Sequence, residues 1–305
     1  MTNEQYLNNL STPAGPVDVV MDTDAYNEID DQYAIAYLLK SGDRLNVKGL
    51  CAAPFFNTKA SSPAEGMEKS YDEILTLLHL LGRDDLRKNV FKGSEKFLES
   101  SDIPVISDAA EYLARLANDY SPEHPLYILA IGAITNVASA LLLNPQMKEN
   151  CVVVWLGGHA YHMKDNREFN LRQDITAARI VFGSGVPLVQ LPCAGVVDIF
   201  RTSHYELDHW LSGKNELCDH LVDYTVQVAE SYAKGKPWTR AIWDVTAVAW
   251  LLNDNHQFMD DELVHSPIPE YNHRYSFNNQ RHLIRYVNRI YRDALFADLF
   301  EKLSN

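Results

Sequence analysis

Four aspartates near the start of the chain could form one carboxylate cluster. Asp22 and Asp24 end the apolar run PVDVVMDTD, and Asp30 and Asp31 open the helix-like run DDQYAIAYLLK. In open parallel sheets, ligands bind at the carboxyl ends of the strands, and a helix N-terminus tolerates negative charge. Converging carboxylates need a counter-ion, and such hard oxygen ligands suit Ca²⁺ or Mg²⁺. The pair Asp30–Asp31 alone would also fit a simple helix start, but the apolar strand ending in D-x-D just upstream favours a metal site.

The elements that would position this cluster alternate between strand and helix. Apolar runs of strand length are, in order, Pro16–Asp24, Val47–Ala53, Asn89–Lys92, Leu126–Gly132, Val152–Gly158 and Pro187–Leu191. Helical patterns lie between them, at Asp30–Lys40, Ala64–Leu81, Val105–Ala117, Thr135–Leu143 and Ile175–Phe182. This alternation predicts an α/β fold with a Rossmann-like, mostly parallel central sheet and helices on both faces.

The C-terminal part of the chain has a different pattern. Residues 203–253 are predicted to be mostly helical, and residues 265–279, rich in Pro, Asn and His, are predicted to be a loop. Val287–Leu303 has the pattern of a terminal amphipathic helix. No internal repeat, low-complexity tract or linker interrupts the chain. We therefore expect a single domain over residues 1–305 with a helix-rich C-terminal part.

Composition excludes several classes of partner. The formal net charge of −14 disfavours nucleic acid, which is bound through a basic surface. No apolar run approaches the about 20 residues that a membrane span needs, and the first residues lack the basic and apolar regions of a secretory signal. The four cysteines are far apart, without C-x-x-C spacing, and are expected to be reduced thiols. These features predict a cytoplasmic protein with no membrane and no nucleic-acid partner.

The aspartate cluster resembles the N-terminal signature of the inosine–uridine preferring nucleoside hydrolases, an apolar strand followed by D-x-D-P-G-x-D-D. The run from Asp22 to Asp31 is DTDAYNEIDD, in which the acids match and a turn two residues longer replaces the Pro-Gly turn. The resemblance continues in the same order over residues 18–244. It includes an Asn after the second strand, a G-x-L-T-N-like run, a G-G pair, an E-F-N run and a late Asp, found here as Asn57, Ile131–Asn136, Gly157–Gly158, Glu168–Asn170 and Asp244.

This resemblance implies an enzyme that hydrolyses the N-glycosidic bond of a small-molecule ribonucleoside, with Ca²⁺ as cofactor, and that forms a homo-oligomer. The implied metal ligands are Asp24, Asp31, Asp244 and the backbone carbonyl of Ile131, and Asp24 is also the implied general base. The implied ribose contacts are Asp30, Asn57, Glu168 and Asn170. Asn57 and Asn170 could instead be ordinary turn residues. Asp22, Thr135 and Asn136 are expected to be structural.

The leaving group is the point at which the sequence departs from the common pattern. The family usually has His before its late metal-binding Asp, whereas this chain has Trp243. An indole cannot donate a useful proton but can stack on a base, and purine-preferring members of the family have Trp here. The resemblance therefore favours purine nucleosides. The alternative for Trp243 is a core residue at the start of the following helix. Other residues that could line a base pocket are His159, Tyr161, His162 and Trp238.

Three alternatives remain open at this stage. The first is a nucleoside hydrolase that prefers pyrimidines and uses His159 or His162 as the acid. The second is a Mg²⁺-dependent haloacid-dehalogenase-type phosphatase, which also has D-x-D after its first strand but expects Thr or Val at the position of Tyr26. The third is an inactive nucleoside-binding protein, which would have no need of the general base Asp24.

Overall fold

An eight-stranded sheet forms the centre of the molecule, in a computed structural model that describes residues Met1–Asn305. The strands are β1 (Val17–Thr23), β2 (Leu45–Ala52), β3 (Val90–Lys92), β4 (Leu126–Ala130), β5 (Cys151–Leu156), β6 (Leu188–Leu191), β7 (Arg201–Thr202), β8 (Arg240–Ala241), β9 (Met259–His265), β10 (Ile268–Glu270), β11 (Arg274–Ser276) and β12 (Leu283–Ile290). The central sheet has the order β3-β2-β1-β4-β5-β6-β12-β9, and β7-β8 and β10-β11 form two small antiparallel pairs.

Twelve α-helices accompany the strands. They are α1 (Asn3–Asn9), α2 (Asp30–Lys40), α3 (Pro63–Leu80), α4 (Asp108–Leu116), α5 (Thr135–Leu143), α6 (Met147–Asn150), α7 (Phe169–Gln173), α8 (Ile175–Ser184), α9 (His204–Trp210), α10 (Glu216–Ala233), α11 (Val245–Leu251) and α12 (Arg292–Ser304). None of them combines the length and the apolar character that a membrane crossing would require.

The two faces of the sheet bury alternate residues of each strand, as the period of two requires. Val19 and Met21 of β1 pack with α2, α3, α11 and α12, whereas Val20 between them packs with α4, α5 and α8. Both faces are thus covered by helices, and every pairing in the sheet is parallel except β12 with β9. The predicted α/β class and mostly parallel sheet are confirmed.

The C-terminal prediction is wrong in two respects. Residues Leu283–Ile290 form strand β12 between β6 and β9, so the terminal helix begins only at Arg292 and not at Val287. The segment predicted as a loop, 265–279, contains the hairpin β10-β11. Because β12 obtains its partners from β6 and from β9, its state depends on tertiary pairing that a local helical pattern does not report.

Candidate active site

The order of the strands creates a crevice beside β1. The chain passes from β1 to β2 and β3 on one side, and returns to β4, β5 and β6 on the other. Ligands bind at such a switch point in open α/β sheets because the loops after the two adjacent strands diverge there. The cavity at this point is lined by Asp24, Asn27, Glu28, Asp30, Asp31, Ile131, Leu156, Glu168, Phe169, Asn170, Cys193, Trp243 and Asp244.

Four buried aspartates form one wall of this cavity. Asp24 follows β1, Asp30 and Asp31 begin α2, and Asp244 directly precedes α11. Each is at most 3% exposed. One carboxylate oxygen from each of Asp30, Asp31 and Asp244 lies within 4.8 Å of the others. The fold therefore brings a residue more than 200 positions away next to the N-terminal motif.

The protein supplies little to neutralise these acids. The Thr23 hydroxyl donates to Asp31 Oδ1 at 2.6 Å, and the backbone N–H of Asp244 lies 3.4 Å from Asp30 Oδ2. Asp24 Oδ2 and Asp30 Oδ1 are buried without a hydrogen-bond partner. No Lys or Arg forms a salt bridge with any of the four. Unpaired buried carboxylates are costly, so the cluster has the chemistry of a site for a hard cation.

Burial and mutual repulsion perturb these groups strongly. Burial first, and then the charges of Asp31 and Asp30, hold the pKa of Asp24 well above its usual range. The pKa values of Asp31 and Asp244 are raised well above normal in the same way, by burial and then by Asp30. Burial and Glu28 raise the pKa of Asp30 to about 6. A bound divalent cation reverses this effect, because its positive charge favours the ionised carboxylates.

Of the candidate metal ligands, Asp31 and Asp244 belong to the close group with Asp30, whereas Asp24 is outside that group and lines the same cavity. Asp24, Asp31 and Asp244 offer carboxylate oxygens to the cavity, and Ile131, which follows β4, lines it as well. The Ile131 carbonyl accepts a hydrogen bond from Asn170 Nδ2 at 3.0 Å and retains a second lone pair. Gly132 allows this wall to close up, because a Cβ at that position would lie 2.8 Å from Asp24 Oδ1.

The opposite part of the cavity is built around the start of α7. Glu168 caps this helix: its Oε1 accepts from the backbone N–H of Asn170, and its Oε2 accepts from Gly158 and Leu171, at 2.8–2.9 Å. The Asn170 amide donates to the carbonyls of Ile131 and Leu156, both at 3.0 Å. These bonds fix both side chains at the ends of β4 and β5, where they line the cavity.

Asp22 and Asn136 form a buried network behind the cavity. Asn136 Nδ2 donates to Asp22 Oδ1 at 2.7 Å and to the Ala52 carbonyl, and its Oδ1 accepts from the Ser94 N–H and hydroxyl. Thr135 donates to Asp174, the cap of α8. The Asn136 contacts join α5 to β1, to the end of β2 and to the loop after β3, and neither Asp22 nor Asn136 lines the cavity.

Trp243 lies at the rim of the same cavity. Its indole is half-buried and packs against the core beside α11, and its Nε1 is buried without an acceptor. The Arg240 guanidinium lies 5.8 Å from the centre of the indole and forms an ion pair with Glu28. Trp243 therefore lines the cavity with the Arg240 cation close to its aromatic ring.

The histidines considered as acids lie outside the cavity lining. His159 Nδ1 is 3.3 Å from the Ala194 N–H, and His162 is exposed beside Gly195. Tyr161 donates to Gln190 and packs in an aromatic cluster, and Trp238 stacks on His204.

Three polar residues that line the cavity were not predicted from the sequence motifs. Asn27 and Glu28 come from the turn after Asp24, and Cys193 follows β6. The two additional residues of that turn were the sequence feature from which Asn27 and Glu28 could have been predicted. Asn57, in contrast, lies behind the cavity and donates to Asn27. All four cysteines are free thiols, as predicted, although Cys193 is partly exposed at the cavity.

Solved structures share the fold of this chain. A plant nucleoside hydrolase, PpNRh1, matches with a TM-score of 0.75 at 20% identity, over 95% of this chain and 99% of the plant chain. A purine-preferring ribonucleoside hydrolase from Gardnerella vaginalis matches with a TM-score of 0.74 at 17% identity, over 94% and 98%. The fold is that of the nucleoside hydrolases.

The family follows from the sequence comparisons. Residues 19–274 match the model of the inosine-uridine preferring nucleoside hydrolases. The chain therefore belongs to this family of N-glycosidases, and the alternative of a haloacid-dehalogenase-type phosphatase is excluded. A pyrimidine-specific ribonucleoside hydrolase, RihA of Citrobacter koseri, is 28% identical over 66% of this chain and 72% of its own. A probable ribonucleoside hydrolase of Dictyostelium discoideum is 32% identical over 31% of this chain and 28% of its own.

Proposed function

We propose that the protein hydrolyses ribonucleosides to ribose and free base with a calcium-activated water, and that it favours purine nucleosides. The observation that carries this proposal is the cluster of four buried carboxylates, none of which forms a salt bridge, next to Trp243 in one cavity. Family membership supplies the reaction class, and the cavity supplies the groups that this reaction needs.

Asp24 is the proposed general base. Cleavage of the C–N bond builds positive charge on the sugar, and a water beside the anomeric carbon must lose a proton as it attacks. Asp24 lines the cavity and has an oxygen, Oδ2, that no protein group occupies. When bound by Asp24, Asp31, Asp244 and the Ile131 carbonyl, Ca²⁺ would lower the pKa of water and keep these carboxylates ionised.

Asp30, Glu168 and Asn170 are the proposed ribose ligands. Asp30 Oδ1 has no protein partner and can accept from a hydroxyl. Glu168 uses both oxygens for backbone N–H groups, yet a carboxylate has about four lone-pair positions, so it can accept a further bond. Asn170 donates through Nδ2 only, which leaves Oδ1 as an acceptor. When ionised, Asp30 and Glu168 also favour a sugar that becomes cationic.

Trp243 is the proposed platform for the base. A purine offers a larger area for stacking than a pyrimidine and has an imidazole nitrogen that can accept a proton, so leaving-group help can come from the base itself. The competing candidate is a pyrimidine preference, which the name of the Citrobacter koseri relative favours. That candidate needs an acid, and neither His159 nor His162 lines the cavity.

The test is a reducing-sugar assay on inosine, adenosine, guanosine, uridine and cytidine, with calcium or with a chelator. We expect release of ribose, faster from the purine nucleosides, and loss of that activity in the chelator. Faster release from uridine would contradict the purine preference. No release from any of the five, together with retained nucleoside binding, would indicate an inactive binding protein.

We also propose that the protein is a cytoplasmic, single-domain homo-oligomer, as the family resemblance implies. Exposed aromatic side chains such as Tyr205 and Trp210, which are 87% and 51% exposed, would be available for contacts between copies. Sedimentation velocity on the purified chain tests the proposal. A monomer at micromolar concentration would contradict it.

A further inference from the structure

The turn between Asp24 and Asp30 brings a polar side chain to the cavity that the family signature does not contain. Asn27 lies in this turn, is 5% exposed and lines the cavity. Its backbone N–H donates to the Asp24 carbonyl at 2.7 Å, so its position is tied to that of the proposed general base. The longer turn therefore places an amide next to the site of the reaction.

Asn57 is hydrogen-bonded to the turn that carries Asn27. Its Nδ2 donates to Asn27 Oδ1 at 2.6 Å, and its Oδ1 accepts from the backbone N–H of Lys59 at 2.8 Å. Lys59 in turn donates from Nζ to the Asn27 carbonyl. Asn57 and Lys59 thus hold Asn27 in place, and Asn57 does not line the cavity.

The Asn27 amide is oriented by this arrangement. Because Oδ1 accepts from Asn57, the Nδ2 group is directed away from Asn57, and no protein acceptor binds it. An amide N–H pair that faces a binding cavity is a donor for a hydroxyl or carbonyl oxygen of the ligand. Its neighbours in the cavity are carboxylates, each of which can accept a hydrogen bond from the proton of a sugar hydroxyl. The oxygen of that hydroxyl can then accept a hydrogen bond from Asn27.

We propose that Asn27, and not Asn57, donates the hydrogen bond to a ribose hydroxyl, and that Asn57 is a positioning residue that acts through Asn27. This inference rests on the proposed nucleoside hydrolysis. The longer turn after β1 would then provide the amide that binds the sugar. The family signature, with its shorter turn, implies an Asn after the second strand instead, which is Asn57 here.

The experiment compares Asn27→Ala, Asn57→Ala and the double variant on inosine and its 2′-, 3′- and 5′-deoxy forms. Asn46→Ala is the matched control, because Asn46 also donates to a side chain, Asp18, but at the exposed start of β2. We expect Asn27→Ala to lower kcat/KM for inosine about 10-fold, as the loss of one hydrogen bond predicts. The loss should nearly vanish for the one deoxynucleoside that lacks the contacted hydroxyl.

Asn57→Ala should show a smaller loss with the same dependence on that hydroxyl, and should add little to Asn27→Ala, since residues that act as one unit are not additive. The inference would be overturned if the loss of kcat/KM in Asn57→Ala depended on one ribose hydroxyl while the loss in Asn27→Ala was the same for inosine and all its deoxy forms. If Asn27→Ala does not fold, as judged by circular dichroism, Asn27→Ser replaces it, because Ser also suits turns.

If the wild type releases no ribose, the proposed function fails. Calorimetric titration with inosine then decides the inference: weaker binding in Asn27→Ala than in Asn46→Ala supports it, and equal binding overturns it.

Discussion

The two sides of the cavity are built in different ways. The acid side consists of Asp24, Asp30, Asp31 and Asp244, each at the end of a strand or the start of a helix and at most 3% exposed. The base side centres on Trp243, held by an ion pair in which the Glu28 side chain is 40% exposed and that of Arg240 14%. The strands and helices of the sheet layers thus hold the carboxylates proposed for catalysis. In contrast, the turn that contains Glu28 and the two-residue strand β8 hold the side chains proposed to select the base. Changes on the acid side should abolish turnover, and changes on the base side should redistribute it among substrates.

The largest effect is expected for Asp24→Asn. This change keeps the shape but removes the proton acceptor, so kcat should fall at least about 100-fold for every nucleoside, with binding retained. Steady-state kinetics and calorimetry measure the two quantities. Asp18→Asn, at the other end of β1, is the control. Near-normal turnover would show that another group activates the water.

Calcium should stabilise the folded protein in a pH-dependent way. The raised pKa values of the cluster mean that, without metal, its contribution to stability is present below the ordinary carboxyl pKa of about 4 and is lost as pH rises through the folded values. For Asp30 that value is about 6. Calcium relieves this loss. At a free calcium concentration of 100 times its dissociation constant, it would add about 2.7 kcal/mol to the free energy of unfolding.

For a chain of this size, that free energy corresponds to a rise in Tm of about 4 °C. Thermal unfolding with and without calcium should show this rise at about pH 7.5 and a smaller one at about pH 5, where protons compete for the carboxylates. Asp244→Asn should lose most of it. An equal rise at both pH values would indicate that calcium binds elsewhere.

Trp243→Ala should separate the two sides of the cavity. Stacking on an aromatic side chain is worth about 1–3 kcal/mol per base, so turnover of inosine should fall about 5- to 150-fold while that of uridine falls less. Kinetics on both substrates for the wild type, Trp243→Ala and His162→Ala check this. A preference for uridine that disappears with His162 and is insensitive to Trp243 would reverse the proposed specificity.

The smallest effect is expected for Arg240→Met. The guanidinium holds the indole through a cation–π contact worth about 0.5–1 kcal/mol, so purine kcat/KM should fall roughly 2- to 5-fold. The matched control is Arg201→Met in the adjacent strand β7, whose side chain bonds to Thr239. A loss as large as that of Asp24→Asn would place Arg240 in the reaction itself.

Sequence reasoning anticipated the sheet better than its C-terminal edge. Strands β4, β5 and β6 are buried at every position, so each one appears as a nearly continuous apolar run that is visible locally. Strand β12 is only partly buried and pairs with β6 and with β9 from a different part of the chain, so its local pattern suggested the start of a helix.

By itself, the sequence determined the class of the fold, the family and the acids that converge on the cavity, because these depend on local apolar periodicity and on motifs at strand ends. Only the tertiary structure decided that Asp244 joins Asp30 and Asp31 within 4.8 Å, and that Asn27 lies in the cavity with Asn57 behind it. The physical reason is that a motif fixes residue types and spacing, whereas the direction of a side chain depends on the partners that compete for its hydrogen bonds.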